Sequence, residues 1–269
     1  MRTSRRLLAV PVALALAGTL GGCAGSSSPT AESRPPAAVQ SVEPAPAKGA
    51  AFVLTADNFA ELGAQASAAK SYRLSMSFGF EGESTEMTGA VNGTDSQITE
   101  TVPGLDTPVE IRVVGGVVYA NLGAGTGGLF WQVDPADSSA LAYFMTQATD
   151  QASVALRMSA LKSAIVSVTP VGAPEEIDGV SSQPYEIVVD TTKMTGQAAE
   201  QFATAEARAG VEVPDQFTYT YWVGTDKLLR KMTLEVMGGT TEMLFSHWGE
   251  PVTIEAPAAD QITTTSPTF

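Results

Sequence analysis

The sequence predicts an α+β domain built on an antiparallel sheet. Three observations carry this: long runs that alternate apolar and polar residues, short hairpin-scale gaps between those runs, and helical periodicities lying between two groups of strands instead of after each strand.

The chain opens with Arg2, Arg5 and Arg6, an apolar stretch from Leu7 to Leu20, and then Gly21, Gly22 and Cys23. A basic start, a short apolar run and small residues before a cleavage point are the marks of an export signal. The run is too short to cross a bilayer comfortably, since a spanning helix takes about 20 apolar residues. Leu20-Gly21-Gly22-Cys23 resembles the bacterial lipobox, which implies a signal peptide over 1–22 and a diacylglyceryl group on Cys23. Cys23 is the only cysteine, so no disulfide competes for its thiol. Two acyl chains on one residue hold a protein far more firmly than the marginal binding given by one.

Residues 23–50 are rich in Pro, Ala and Ser and read as a disordered tether. A tether of about 27 residues reaches ~30 Å as a flexible coil and roughly 80 Å in polyproline geometry. The remainder, 51–269, contains no second Pro-rich break and reads as one domain.

That domain begins with a helix, because Phe59, Leu62, Ala66 and Ala69 recur at helical spacing and Asn58 to Glu61 offers a capping pattern. From Ser71 to Phe80 the period changes to two: Tyr72, Leu74, Met76, Phe78 and Phe80 alternate with small or charged residues, the pattern of a half-buried antiparallel strand. Weaker alternation marks Glu86 to Asn92, Ser96 to Val102, Val109 to Val114, Val117 to Leu122 and Leu129 to Val133, with Gly115-Gly116 as a two-residue hairpin turn. A helical interval follows, with Leu141, Phe144, Met145 and Ala148 on one face and Val154, Leu156 and Leu161 beyond. Strands resume at Ala164 to Val171 and Pro184 to Asp190, and Lys193 to Ala209 reads as another helix. Phe217 to Gly224, Leu228 to Met237, Thr240 to Trp248 and Val252 to Ala256 read as four closing strands.

Several chemistries have little to work with. His247 is the only histidine and sits in a strand pattern beside Trp248, where a structural role is the simpler reading. There is no nucleophile elbow, phosphate-binding glycine loop or metal-ligand spacing. The sequence therefore points away from an enzyme and implies no cofactor and no metal; a carboxylate-only or Ser-Lys hydrolase is the catalytic alternative. The formal charge of −14 opposes nucleic acid and anionic headgroups, and loss of three arginines with the leader makes it more negative still.

Tyr221-Trp222-Val223-Gly224, Leu228-Leu229-Arg230-Lys231 and Phe245-Ser246-His247-Trp248-Gly249-Glu250-Pro251-Val252 are together similar to the end of the LppX/LprAFG-type actinobacterial lipoproteins. Lys70-Ser71-Tyr72 entering a long strand, and Val118-Tyr119-Ala120 before Trp131, fit the same layout. The resemblance, which extends to the LolA/LolB group, implies a strongly curved antiparallel sheet (a half-barrel), helices covering the concave face, and a hydrophobic cavity between them. It implies a carrier of lipid or glycolipid on the outer face of the cytoplasmic membrane, with a membrane transporter as a further partner. On the matching strands and helices the candidate cavity-lining residues are Met76, Phe78, Phe80, Phe144, Met145, Tyr219, Tyr221, Met232 and Met243. The pattern alone does not separate lining from core, so an envelope interaction or sensor module with a fully packed core is the alternative.

Overall fold

The computed structural model describes residues 52–80, 83–101, 107–134, 136–137, 139, 141–142, 145, 158, 161–194, 199, 214–236 and 239–267 of the 269-residue chain. The expected signal peptide, Cys23 and the tether lie outside these residues, as do Phe144, Ala148, Val154, Leu156 and most of the Lys193 to Ala209 segment.

The helix begins close to where the sequence places it, at Ala60, but without the expected cap from Asn58 to Glu61. Thr55 and Asn58 bond reciprocally: the Thr55 N–H donates to Asn58 Oδ1 at 2.7 Å, and the Asn58 N–H donates to Thr55 Oγ1 at 3.3 Å. This is the geometry of a capping box, built on Thr55 and Asn58 instead of the expected Asn58 and Glu61. Helix α1 (Ala60–Ala69) follows and buries Leu62, Gly63 and Ala66. It stops at Lys70, whose positive φ of 66° turns the chain directly into the first strand.

The strands are β1 (Ser71–Phe80), β2 (Glu83–Asn92), β3 (Asp95–Thr101), β4 (Val109–Val114), β5 (Val117–Asn121), β6 (Phe130–Gln132), β7 (Ile165–Pro170), β8 (Glu175–Ile177), β9 (Val180–Asp190), β10 (Gln216–Gly224), β11 (Leu229–Val236), β12 (Gly239–Ser246) and β13 (Ile262–Thr263). They form one curved, unclosed sheet in the order β13-β6-β5-β4-β3-β2-β1-β12-β11-β10-β9-β7, with β8 also paired to β9. Every pairing is antiparallel except β13 with β6. The architecture is the α+β half-barrel that the alternating pattern and the resemblance lead one to expect. Residues Leu141, Ala142, Met145, Met158, Leu161 and Ala199 are helical, as their periodicity suggests.

One face of the sheet is covered. Leu62 and Ala66 of α1 join Tyr72, Leu74, Tyr185, Tyr221, Met232, Met243 and Phe245 in the main hydrophobic core. Phe59, fully buried, stacks on Tyr221 with ring centroids 6.1 Å apart and planes inclined by 28°. The Tyr185 hydroxyl receives the Leu54 N–H at 3.2 Å and donates to the Phe52 carbonyl, which ties the chain's approach to the same face. A second core, of Val109, Ile111, Ala120, Trp131, Val133, Ala142 and Met145, lies under β4 to β6.

Three other expectations change. The Val252 to Ala256 segment is not a strand. Its carbonyls are instead taken by side chains of the sheet, Val252 O by Asn92 Nδ2 at 2.8 Å and Glu255 O by Arg112 Nη1 at 3.2 Å, and Pro251 and Pro257 remove two of the N–H groups a ladder would need. His247 is not a strand residue but an exposed left-handed turn residue (φ 56°), its ring Nδ1 2.9 Å from Ser246 Oγ and its N–H on Asp178 Oδ2. Finally, β9 runs four residues further back than expected, through Pro184. The Pro184 carbonyl accepts from Val171 N, and the Val171 carbonyl opposite the proline nitrogen is served instead by Gln183 Nε2 at 3.1 Å.

An aromatic cluster lies where β1, β11 and β12 meet. Trp248 lies 4.5 Å from the Tyr72 ring and 6.2 Å from Phe245, and its indole N–H donates to the Leu229 carbonyl at 3.0 Å. At the β10–β11 register shift the buried Arg230 pairs with Asp226, while its Nε and Nη1 find no acceptor among the described residues.

Because Phe59 fills the junction of α1 and the sheet, Phe59→Ala should lower unfolding stability by about 3–5 kcal/mol. Val166→Ser, at a half-exposed position on β7, should change it by less than about 0.5 kcal/mol. Urea unfolding followed by tryptophan fluorescence measures both.

Candidate functional site

Residues directly opposite one another in an antiparallel sheet share a face, so the registers define rows that run across the strands. One row on the covered face is Met87 on β2, Met76 on β1, Met243 on β12, Met232 on β11, Tyr221 on β10 and Tyr185 on β9. Four methionines therefore stand side by side on four consecutive strands. On one side of them runs Gly89, Leu74 and Phe245; on the other runs Thr85, Phe78, Thr241, Leu234, Tyr219 and Ile187.

Cover is uneven along these rows. Leu74 and Phe245 are buried, and so are Met243, Met232 and Tyr221. Met87 and Met76 are only half-buried, as are Thr85, Phe78, Thr241 and Leu234 in the next row. The apolar face thus emerges from its cover around the outer halves of β1, β2, β11 and β12. Methionine suits such a place, since its unbranched thioether side chain repacks against surfaces of different shape.

Of the candidate cavity residues, the structure brings Met76, Met243, Met232 and Tyr221 into one row and Phe78 and Tyr219 into the adjoining row. Met145 belongs to the second core, away from both. The side chain of Phe80 and the whole of Phe144 lie outside the described residues.

The sequence reading missed Glu100. On β3 it pairs with Met87 on one side and buried Val109 on the other, so it stands on the apolar face beside the half-buried end of the methionine row. Burial among these neighbours raises its pKa above the ordinary 4.5, with no hydrogen bond or ion pair among the described residues to counter it. The signal was present in the alternation itself, because Ser96, Ile98 and Glu100 fall on one face. By contrast Glu110, on the opposite face, is fully engaged: it accepts from Gln97 Nε2 at 2.8 Å and from Arg112 Nε at 2.7 Å.

The opposite face has a different character. A cleft of about 520 Å³ lies between the 251–253 segment and the outer side of β1 to β3, lined by Arg73, Ser75, Thr88, Gln97, Thr99 and Ser246 among others. Among the described residues no group of His, Cys, Asp or Glu side chains is arranged to hold a metal ion, and no helix is long and apolar enough to cross a membrane.

An open antiparallel sheet with one partly uncovered apolar face is the class of protein that this geometry defines. Among solved structures similar to this chain is LprF from Mycobacterium bovis, 17% identical over 76% of this chain and 98% of that one, with a TM-score of 0.46. Another is the Mycobacterium tuberculosis lipoprotein LppX, 14% identical over 74% of this chain and 99% of that one, with a TM-score of 0.47. A third is MucB in its complex with MucA from Pseudomonas aeruginosa, 13% identical over 76% of this chain and 60% of that one, at 0.34. LprF and LppX are of the type that the C-terminal strands resemble. No protein-family model matches the chain, and no curated protein matches it.

The raised pKa of Glu100 sets a pH dependence of stability. The folded state holds the carboxyl proton more tightly than the unfolded chain, so the wild-type protein loses stability as pH rises from about 4.5 through the raised value. Glu100→Gln is neutral throughout and escapes that loss. Its thermal midpoint should exceed the parent's at about pH 7.5, with the advantage shrinking toward about pH 4; an advantage that does not depend on pH would contradict the burial cause.

Proposed function

We propose that the protein is a membrane-anchored lipoprotein that binds the acyl chains of a lipid or glycolipid on its covered face and carries them within the cell envelope without a chemical step. The observation that carries this reading is the methionine row, apolar from Met87 to Met232 and only half-buried at Met76 and Met87, whereas Met243 and Met232 are closed over. A methylene chain gains ~25 cal/mol for each Å² it withdraws from water and asks for no directed partner, so an uncovered apolar strip is sufficient to hold one. Loading and release are then partition steps. The cargo passes between membrane and protein according to which hides more apolar surface, and a membrane transporter that presents lipid outside the bilayer would be a natural supplier.

Anchoring through Cys23 belongs to the same proposal. Diacylation there would hold the domain at the outer face of the cytoplasmic membrane on a tether of residues 24–50, so that it collects and delivers within a fixed radius. Incorporation of labelled palmitate by the expressing bacterium should be complete at Cys23 and absent in Cys23→Ser.

The burial of Met243, Met232, Tyr221 and Tyr219 favours the second reading, an interaction or sensor module whose apolar face is already filled by its own chain. Mass spectrometry of solvent extracts from the purified mature chain, with Cys23→Ser, separates the two. Lipid near one molecule per chain supports the carrier, and a lipid-free protein that also refuses added fatty acid supports the module. Met76→Ser and Phe78→Ser should each weaken acyl-chain binding by about tenfold, the equivalent of losing one apolar side chain from the contact. Unchanged binding in folded variants would remove these two residues from the site.

A further inference from the structure

The uncovered end of the methionine row is also the end where the carboxylate stands. Glu100, Met87 and Met76 occupy consecutive strands β3, β2 and β1 and are all half-buried, whereas the next member, Met243, is closed over. The three span about 10 Å at the usual strand spacing. An amphiphile whose chain lies on Met76 and Met87 therefore covers Glu100 as well.

Covering it has a consequence. An ionised carboxylate only accepts hydrogen bonds, and among the described residues none donates to Glu100, so water serves it in the free protein. A ligand that displaces this water without supplying a donor leaves the charge stranded among Met87, Val109 and the ligand's own methylenes, at a cost that opposes binding. A ligand with a hydroxyl or ammonium group at its head replaces the water and keeps the charge satisfied.

We propose that Glu100 receives the polar head of the bound amphiphile and selects hydrogen-bond donors, polyol or amine heads, over heads that are only anionic. This rests on the acyl-chain reading of the same face. The identity of the acid matters less than its being an acceptor without a donor of its own, placed where the chain-binding strip ends.

The test compares monopalmitoylglycerol with palmitate, which share one acyl chain and differ in the head. Titrate each into the delipidated mature chain carrying Cys23→Ser at about pH 7.5, using wild type, Glu100→Gln, Glu100→Asp and, as a control on the opposite face, Glu110→Gln. The wild type should prefer monopalmitoylglycerol by about tenfold or more, the scale of a hydrogen bond to a charged group. Glu100→Gln should bring the two affinities within about threefold, chiefly by tightening palmitate, whereas Glu100→Asp and Glu110→Gln should keep the preference. A preference unchanged in Glu100→Gln, or no preference in the wild type, overturns the role of Glu100 and leaves the acyl-chain reading standing. Failure of the wild type to bind either probe overturns both.

Discussion

The sheet depends on one pairing, that of β1 with β12. Six strands, β1 to β6, form a continuous antiparallel run on one side, and β7 and β9 to β12 form another on the other side. Among the described residues only the ladder from Arg73–Ser246 to Gly79–Thr240 joins them. The main core is assembled across that seam: Leu74 faces Phe245, Met76 faces Met243, and Tyr72 meets Phe245 and Trp248 edge to face and tilted. Each contact closes a loop of most of the chain, an entropic cost that grows only slowly with loop length and that burial of several large apolar side chains offsets.

Alternation made the central strands legible. Ser71 to Phe80 is found as written, and Val109 to Val114 likewise, because each keeps a strict period of two with one buried face. Legibility failed where something other than burial decides. The Val252 to Ala256 segment alternates like a strand, but its carbonyls are satisfied by Asn92 and Arg112 side chains, which no periodicity records. Strand β8 has only three residues and exposed acids, and β9 was cut short at a proline whose orientation is visible only once its neighbours are placed. The expected Asn58–Glu61 cap does not form because Asn58 Oδ1 is taken by the Thr55 N–H in the preceding turn, and α1 begins after Phe59 without a side-chain cap.

For the candidate site, the apolar positions were readable and their grouping was not. Met76 and Met243 are far apart in sequence, and only the seam register sets them opposite each other. Tyr219, Tyr221, Met232 and Met243 share the apolar type of Met76 and Phe78 but are closed over, a difference set by what packs above the sheet. Glu100 escaped notice because acidic residues are abundant in the chain, and an acid is informative only when its face is known to be apolar.

The C-terminal segment has a consequence for when the fold can lock. After β12 the chain passes back over the first half of the sheet, is gripped by Asn92 and Arg112, and ends by placing Ile262 and Thr263 against Phe130 and Trp131. The free border of β6 is thus sealed by residues that lie about 130 positions further along the chain. A nascent chain emerging from its N-terminus holds β1 to β6 with both borders unsatisfied, and no fragment short of about residue 263 contains the finished sheet.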